Sequence, residues 1–140
     1  PLPFNGNYWS VSHKAEYVAG VIARSKIGID LEKIRPFKEG LYKKTAREGE
    51  WGLSDSDKVV LFFRYWTAKE SILKASGTGI RDLLKCGIKR IIDDRHLIVN
   101  YRDHDWVVEH FYFNGHIASV IKNNADVKWA FYTDTSLPNP

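Results

Sequence analysis

An α+β domain is what this sequence predicts, and three observations carry it. Short segments that alternate apolar and polar residues come first, a short and then a long stretch of helical periodicity follow, and short strand-like segments return with a hairpin signal at Asn114-Gly115. No internal repeat or low-complexity linker interrupts that order. A chain of 140 residues is long enough to bury one core, so residues 1–135 are read as a single domain and 136–140 as a loose tail.

The elements follow in order. Tyr8–Ser12 and Glu16–Ala23 are strands joined by a turn at His13–Ala15, and the second, rich in Val, Ile and Ala, reads as buried. Ile27–Glu32 alternates with period two, placing Ile27, Ile29 and Leu31 on one face and Gly28, Asp30 and Glu32 on the other. After Pro36, Phe37–Arg47 forms a short helix that leads to Glu50-Trp51. Ser54 or Ser56 caps a long helix over Asp57–Ala75, which Gly77 and Gly79 terminate. Five further strands are expected, at Gly87–Ile92, His96–Tyr101, Trp106–Phe113, His116–Ile121 and Val127–Tyr132.

Composition narrows the function classes. Hydrophobic residues at 44% and aromatics at 14% exclude a disordered chain, and no run approaches the roughly 18 apolar residues of a membrane span. The lone Cys86 forms no internal disulfide and has no cysteine partners for zinc, which points to a reducing, cytoplasmic setting. The absence of methionine leaves open that the chain is part of something longer. A net charge of +4 favours anionic partners. The basic residues are scattered, however, and Trp9, Trp51, Trp106 and Trp129 read as core or cleft walls, so a nucleic-acid-binding module is disfavoured. Ser12 and His13 do not make a hydrolase pair, because neighbours on a strand point apart and no Gly-x-Ser-x-Gly elbow exists. His96, His104, His110 and His116 lack a metal-ligand spacing.

Two anomalies concentrate chemistry. With Trp66 as the zero of rotation and about 100° per residue, Phe62, Leu73, Val59 and Phe63 form an apolar stripe from about −40° to about +60°, and Glu70 falls inside it at about +40°. A carboxylate there is paired, metal-bound or protonated. Lys69 and Lys74 flank it, and an ordinary i,i+4 pair of Glu70 with Lys74 is the bland alternative. On the strand, Asp30 and Glu32 project from one face about 7 Å apart, a span that one divalent cation can bridge, with Gly28 leaving room for a ligand. The bland alternative is a half-exposed polar face that meets water. Three carboxylates on two elements make a hard-cation site suited to magnesium and phosphate oxygens, with Lys69, Lys74 and His13 to balance phosphate charge.

The segments Ser10-Val-Ser-His13, Ile27-Gly-Ile-Asp-Leu-Glu32 and Trp66-Thr-Ala-Lys-Glu-Ser-Ile-Leu-Lys74, with Gly77 and Gly79, resemble in order and spacing the 4'-phosphopantetheinyl transferases of the larger, surfactin-synthetase-activating type. The resemblance implies an antiparallel sheet packed against a long and a shorter helix. It also implies transfer of the 4'-phosphopantetheine arm of coenzyme A to a serine of an acidic apo carrier protein, with release of 3',5'-ADP. Asp30, Glu32 and Glu70 match the family's magnesium ligands, and Lys74 matches its pyrophosphate contact. His13 matches its coenzyme A phosphate contact, with Ser12 beside it also counted as cofactor-binding, and Glu70 matches the residue that takes the serine proton, directly or through a bound water. Glu50 aligns with a further acidic position.

Larger members are built of two similar halves with coenzyme A between them, and this chain resembles the second half plus the Ser-His strand. A homodimer or a separate first half is therefore expected, with Lys43, Lys44 and Arg47 as candidates for the replaced phosphate grip. A transferase-like half that binds a partner without catalysis is the alternative.

Overall fold

Helix α3 (Lys58–Ser76) is the element around which the rest is arranged. A computed structural model describes residues 3–133, so the expected tail at 136–140 lies outside the described residues. Asp57, not Ser54 or Ser56, caps α3, because its carboxylate accepts from the N–H groups of Val59 and Val60 while the two serines bond to each other. Gly77, at a φ of 72°, closes the far end with its N–H on the last turn's carbonyls.

Before α3 come the strands β1 (Tyr8–His13), β2 (Val18–Ala23) and β3 (Ile29–Lys33), then two short helices, α1 (Gly40–Thr45) and α2 (Glu48–Trp51). The expected single helix over 37–47 is thus split. Arg47 is extended, and its N–H donates to Glu50 Oε2 at 2.6 Å, which starts a new helix instead of continuing the old one. After α3 a 3-10 helix, Ile80–Lys85, which the sequence did not predict, leads to β4 (Gly87–Ile91), β5 (His96–Tyr101), β6 (His104–Phe113) and β7 (His116–Ile121).

Two antiparallel sheets result, a β1-β2 hairpin and a five-stranded sheet in the order β3-β7-β6-β5-β4. Asn114 and Gly115 both take positive φ in the β6-β7 turn, as the Asn-Gly signal predicts. Arg102 and Asp103 do the same between β5 and β6 without any such signal, which lets β6 begin at His104 instead of Trp106. Among the described residues Val127–Tyr132 forms no strand; it crosses the outer face of the sheet, held by Trp129 Nε1, which donates to Glu109 Oε2 at 2.6 Å.

The core lies between α3 and the sheet. Its deepest helical positions, Leu61, Tyr65, Ala68 and Ile72, meet Leu97, Val99, Val108 and Ile121. On the helical wheel these four fall between about −100° and −160°, nearly opposite the stripe around Trp66. That stripe packs a second cluster in which Phe62 and Phe63 meet Phe37, Tyr42 and Ile117. Helix α3 is buried on most of its circumference, so its apolar pattern has no single core-facing side.

Candidate functional site

The site is built where β3 passes the C-terminal half of α3. Strand β3 is an edge strand of the larger sheet, and an edge leaves every second N–H unpaired. Ser10 and Ser12 of β1 supply the missing acceptors: the N–H groups of Ile29 and Leu31 each donate to a serine Oγ at 3.1 Å. Ser12 is therefore turned toward β3, while His13, next along the strand, faces away and is exposed. Gly28 leaves no room for a ligand, contrary to the sequence expectation, because a Cβ there would lie 1.8 Å from the carbonyl oxygen of Ser71. Its lack of a side chain brings β3 against α3 instead.

That close approach buries Asp30, which is only 6% exposed, so the bland alternative of a half-exposed face that meets water does not hold for it. Lys74 Nζ donates to Asp30 Oδ1 at 3.1 Å and to the Ile29 carbonyl at 2.9 Å, which uses two of the three ammonium donors. Ser12 Oγ lies 3.5 Å from the same Oδ1. Oδ2 is buried with no hydrogen-bond partner. Burial, with the nearby charges of Glu32 and Glu70, raises the Asp30 pKa to about 7 against the opposing pull of Lys74. Glu70 is half-buried, and its pKa is raised by burial and by Glu32. Glu32 forms an ion pair at 3.0 Å with Lys14, a residue the sequence reading did not single out although it adjoins His13 in the β1-β2 turn.

Asp30, Glu32, Glu70 and Lys74 are thus brought together, and the helical alternative of a Glu70–Lys74 pair is replaced by a Lys74–Asp30 pair across elements. Lys69 is not among them. It is fully buried on another side of α3, with its Nζ 2.8 Å from both Glu50 Oε1 and the Thr45 carbonyl. Glu50 in turn accepts from the N–H groups of Arg47 and Ile88, so this carboxylate and Lys69 tie α2, α3 and β4 together.

Among the described residues no three ligating side chains are already closed around a common point. The donor set nevertheless fits a divalent cation: an orphaned buried carboxylate oxygen, two further carboxylates whose charge it feels, and oxygen donors throughout. A family model described as the 4'-phosphopantetheinyl transferase superfamily matches residues 26–126, which include all four of these side chains. The chain belongs to that superfamily.

Its similarity to characterised members is partial in length. It is 40% identical over 86 residues to the 4'-phosphopantetheinyl transferase HetI of Nostoc sp., covering 56% of this chain and 36% of that protein. To the 4'-phosphopantetheinyl transferase psf-1 of Bacillus pumilus it is 28% identical over 102 residues, 70% of this chain and 44% of the other. To the 4'-phosphopantetheinyl transferase Sfp of Bacillus subtilis it is 29% identical over 77 residues, 52% of this chain and 34% of the other. The chain therefore spans between a third and a half of these superfamily members.

Proposed function

We propose that this chain carries the catalytic half of a 4'-phosphopantetheinyl transferase, which moves the phosphopantetheine arm of coenzyme A to a serine hydroxyl of an acidic carrier protein and releases 3',5'-ADP. The single observation that carries the reading is Asp30, a carboxylate driven into the β3–α3 interface with one oxygen on Lys74 and the other unpartnered. Burying such a group costs several kcal/mol unless something binds it (about 1–3 for a neutral polar group, more for a charge). A ligand that restores a partner explains why the position is acidic.

In this reading Asp30, Glu32 and Glu70 hold a magnesium ion, whose contribution when bound is to neutralise diphosphate charge. Lys74 gives one donor to Asp30 and one to the Ile29 carbonyl and presents the third to a diphosphate oxygen, where charge develops as the ADP side leaves. Glu70 belongs to no ion pair among the described residues, and in this reading a carboxylate oxygen of Glu70 takes the serine proton, directly or through a bound water. In this reading His13, exposed at the end of β1, meets a phosphate of the nucleotide. Lys69 is given no part in donor binding, because its ammonium is enclosed with Glu50.

The other wall of the donor cleft comes, in our reading, from a second copy or a separate first half. The outer face of the β1-β2 hairpin supports this: Trp9, Val11, Val18 and Ile22 lie there together, with Val18 78% and Ile22 69% exposed. This also corrects the expectation that β2 is a buried strand. Lys43 and Lys44 are exposed on α1 and available for the phosphate grip.

Magnesium-dependent mass gain of an apo carrier protein incubated with coenzyme A tests the function. We expect one phosphopantetheine per carrier, and none with Asp30→Asn, whose melting temperature in EDTA is no lower than that of the parent. Light scattering should show an assembly larger than one chain under assay conditions. A folded Asp30→Asn variant with unchanged turnover would overturn the assignment, and full activity from a strict monomer would overturn the shared cleft.

A further inference from the structure

Among the described residues, Lys14 is the cation paired at the site that the family resemblance leaves without a role, and it lies outside the matched span. Its backbone N–H, donating to the Tyr17 carbonyl at 2.9 Å, fixes it in the β1-β2 turn, and its side chain reaches Glu32 on β3. The two site lysines are held differently. Lys74 is anchored by the Ile29 carbonyl as well as by Asp30, so it stays when the carboxylate is engaged elsewhere. Lys14 has a single anchor at the site, Glu32 Oε2, and its side chain is 37% exposed while that of Glu32 is only 13% exposed. A divalent cation that engages Glu32 competes with the Lys14 ammonium for that carboxylate.

Resting on the function proposed above, we propose that Lys14 is a displaceable counter-ion. It occupies Glu32 in the cation-free protein, yields it when the divalent cation binds, and then turns its ammonium to the diphosphate of the donor. Charge favours the exchange in that order. With the three carboxylates ionised, Asp30, Glu32 and Glu70 against Lys14 and Lys74 leave one net negative charge, three minus two, which attracts the cation; the bound cation reverses the sign to one positive charge, which attracts the diphosphate. Lys14 thereby opposes cation binding alone and supports cation and diphosphate together, so each ligand strengthens the other through it. Lys14 is a positioning residue in the cation-free state and a donor contact in the loaded one.

The experiment is calorimetric titration of this chain with manganese(II), a probe for the divalent site, and then with inorganic pyrophosphate in the presence of manganese, for the parent, Lys14→Met and Lys14→Arg. Removing a half-exposed competing ion pair should make Lys14→Met bind manganese alone about threefold more tightly. Losing one charge-assisted contact should make the same variant bind pyrophosphate with manganese about tenfold more weakly. Lys14→Arg should restore both affinities to near the parent values. Opposite shifts in one folded variant are not what a merely structural role of Lys14 produces. Unchanged affinities in Lys14→Met, or both weakened together, overturn the proposal while leaving the metal site standing. A parent that binds no manganese overturns the site reading and this proposal with it.

Discussion

Lys69 and Lys74 lie five residues apart on one helix and do opposite work. Both flank Glu70 in the sequence, and both are natural candidates to meet phosphate. The tertiary contacts separate them: burial lowers the pKa of Lys69, Glu50 pulls it back up, and the pair is sealed from any ligand, whereas Lys74 is half-buried and keeps a donor free. Breaking a sealed pair strands a charge. Lys69→Met should therefore lose about 3–5 kcal/mol in urea denaturation. The double variant Lys69→Met with Glu50→Leu should be less unstable than the sum of the singles; additive losses would show that the pair is not the reason for the cost. Lys74→Ala leaves the buried Asp30 without its charged partner, so it should lose about 1–3 kcal/mol, less than Lys69→Met, while removing turnover measured per folded molecule.

At the scale of elements, the β3–α3 contact creates the site. Three features of the chain produce it: Gly28 permits the approach, Ser10 and Ser12 satisfy the open edge of β3, and the alternation of β3 aims Asp30 and Glu32 toward the helix. Each is visible in the sequence as a residue type, but the approach is not, since a strand glycine reads equally as space for a ligand. Gly28→Ala would put a methyl group into the Ser71 carbonyl. We expect it to cost about 3 kcal/mol in thermal or urea unfolding and to abolish cation binding, because the strand must move away from α3. A stable Gly28→Ala variant with intact cation affinity would show that the contact does not build the site.

For the whole molecule, the α3–sheet interface carries a buried polar chain with a pH consequence. His110 on β6 is fully buried, with Nδ1 2.6 Å from Ser119 Oγ, which is 2.6 Å from Thr67 Oγ1 on α3. Thr67 Oγ1 donates to the Phe63 carbonyl, so the chain of donors runs back to a protonated Nδ1 and leaves Nε2 a buried acceptor without a partner. Burial, with Arg64 and His96 adding like charge, holds the pKa of His110 well below 6.5. The unfolded chain takes up this proton near pH 6.5 and the native state does not. This group is without effect above that pH and subtracts about 1.4 kcal/mol per pH unit as pH falls toward the depressed native value. Denaturation midpoints of the parent and His110→Gln, measured from pH 7.5 to about 5, should converge or cross as the pH falls. A constant gap would refute the coupling.

What the sequence by itself determined is whatever depends on local periodicity and on residue type. Strand alternation at β3, the extent and glycine stop of α3, the Asn-Gly turn, the α+β order and the family motifs were all legible, because period two, period 3.6 and positive φ act within a few neighbours. Only the tertiary structure decided which side of α3 faces the sheet, that Val127–Tyr132 is a crossing segment and not a strand, that β2 is exposed, and that Glu50 claims Lys69 while Asp30 claims Lys74. Partners tens of residues apart leave no local pattern. A lysine's ammonium can reach any carboxylate that packing brings near it, and packing is a property of the whole chain.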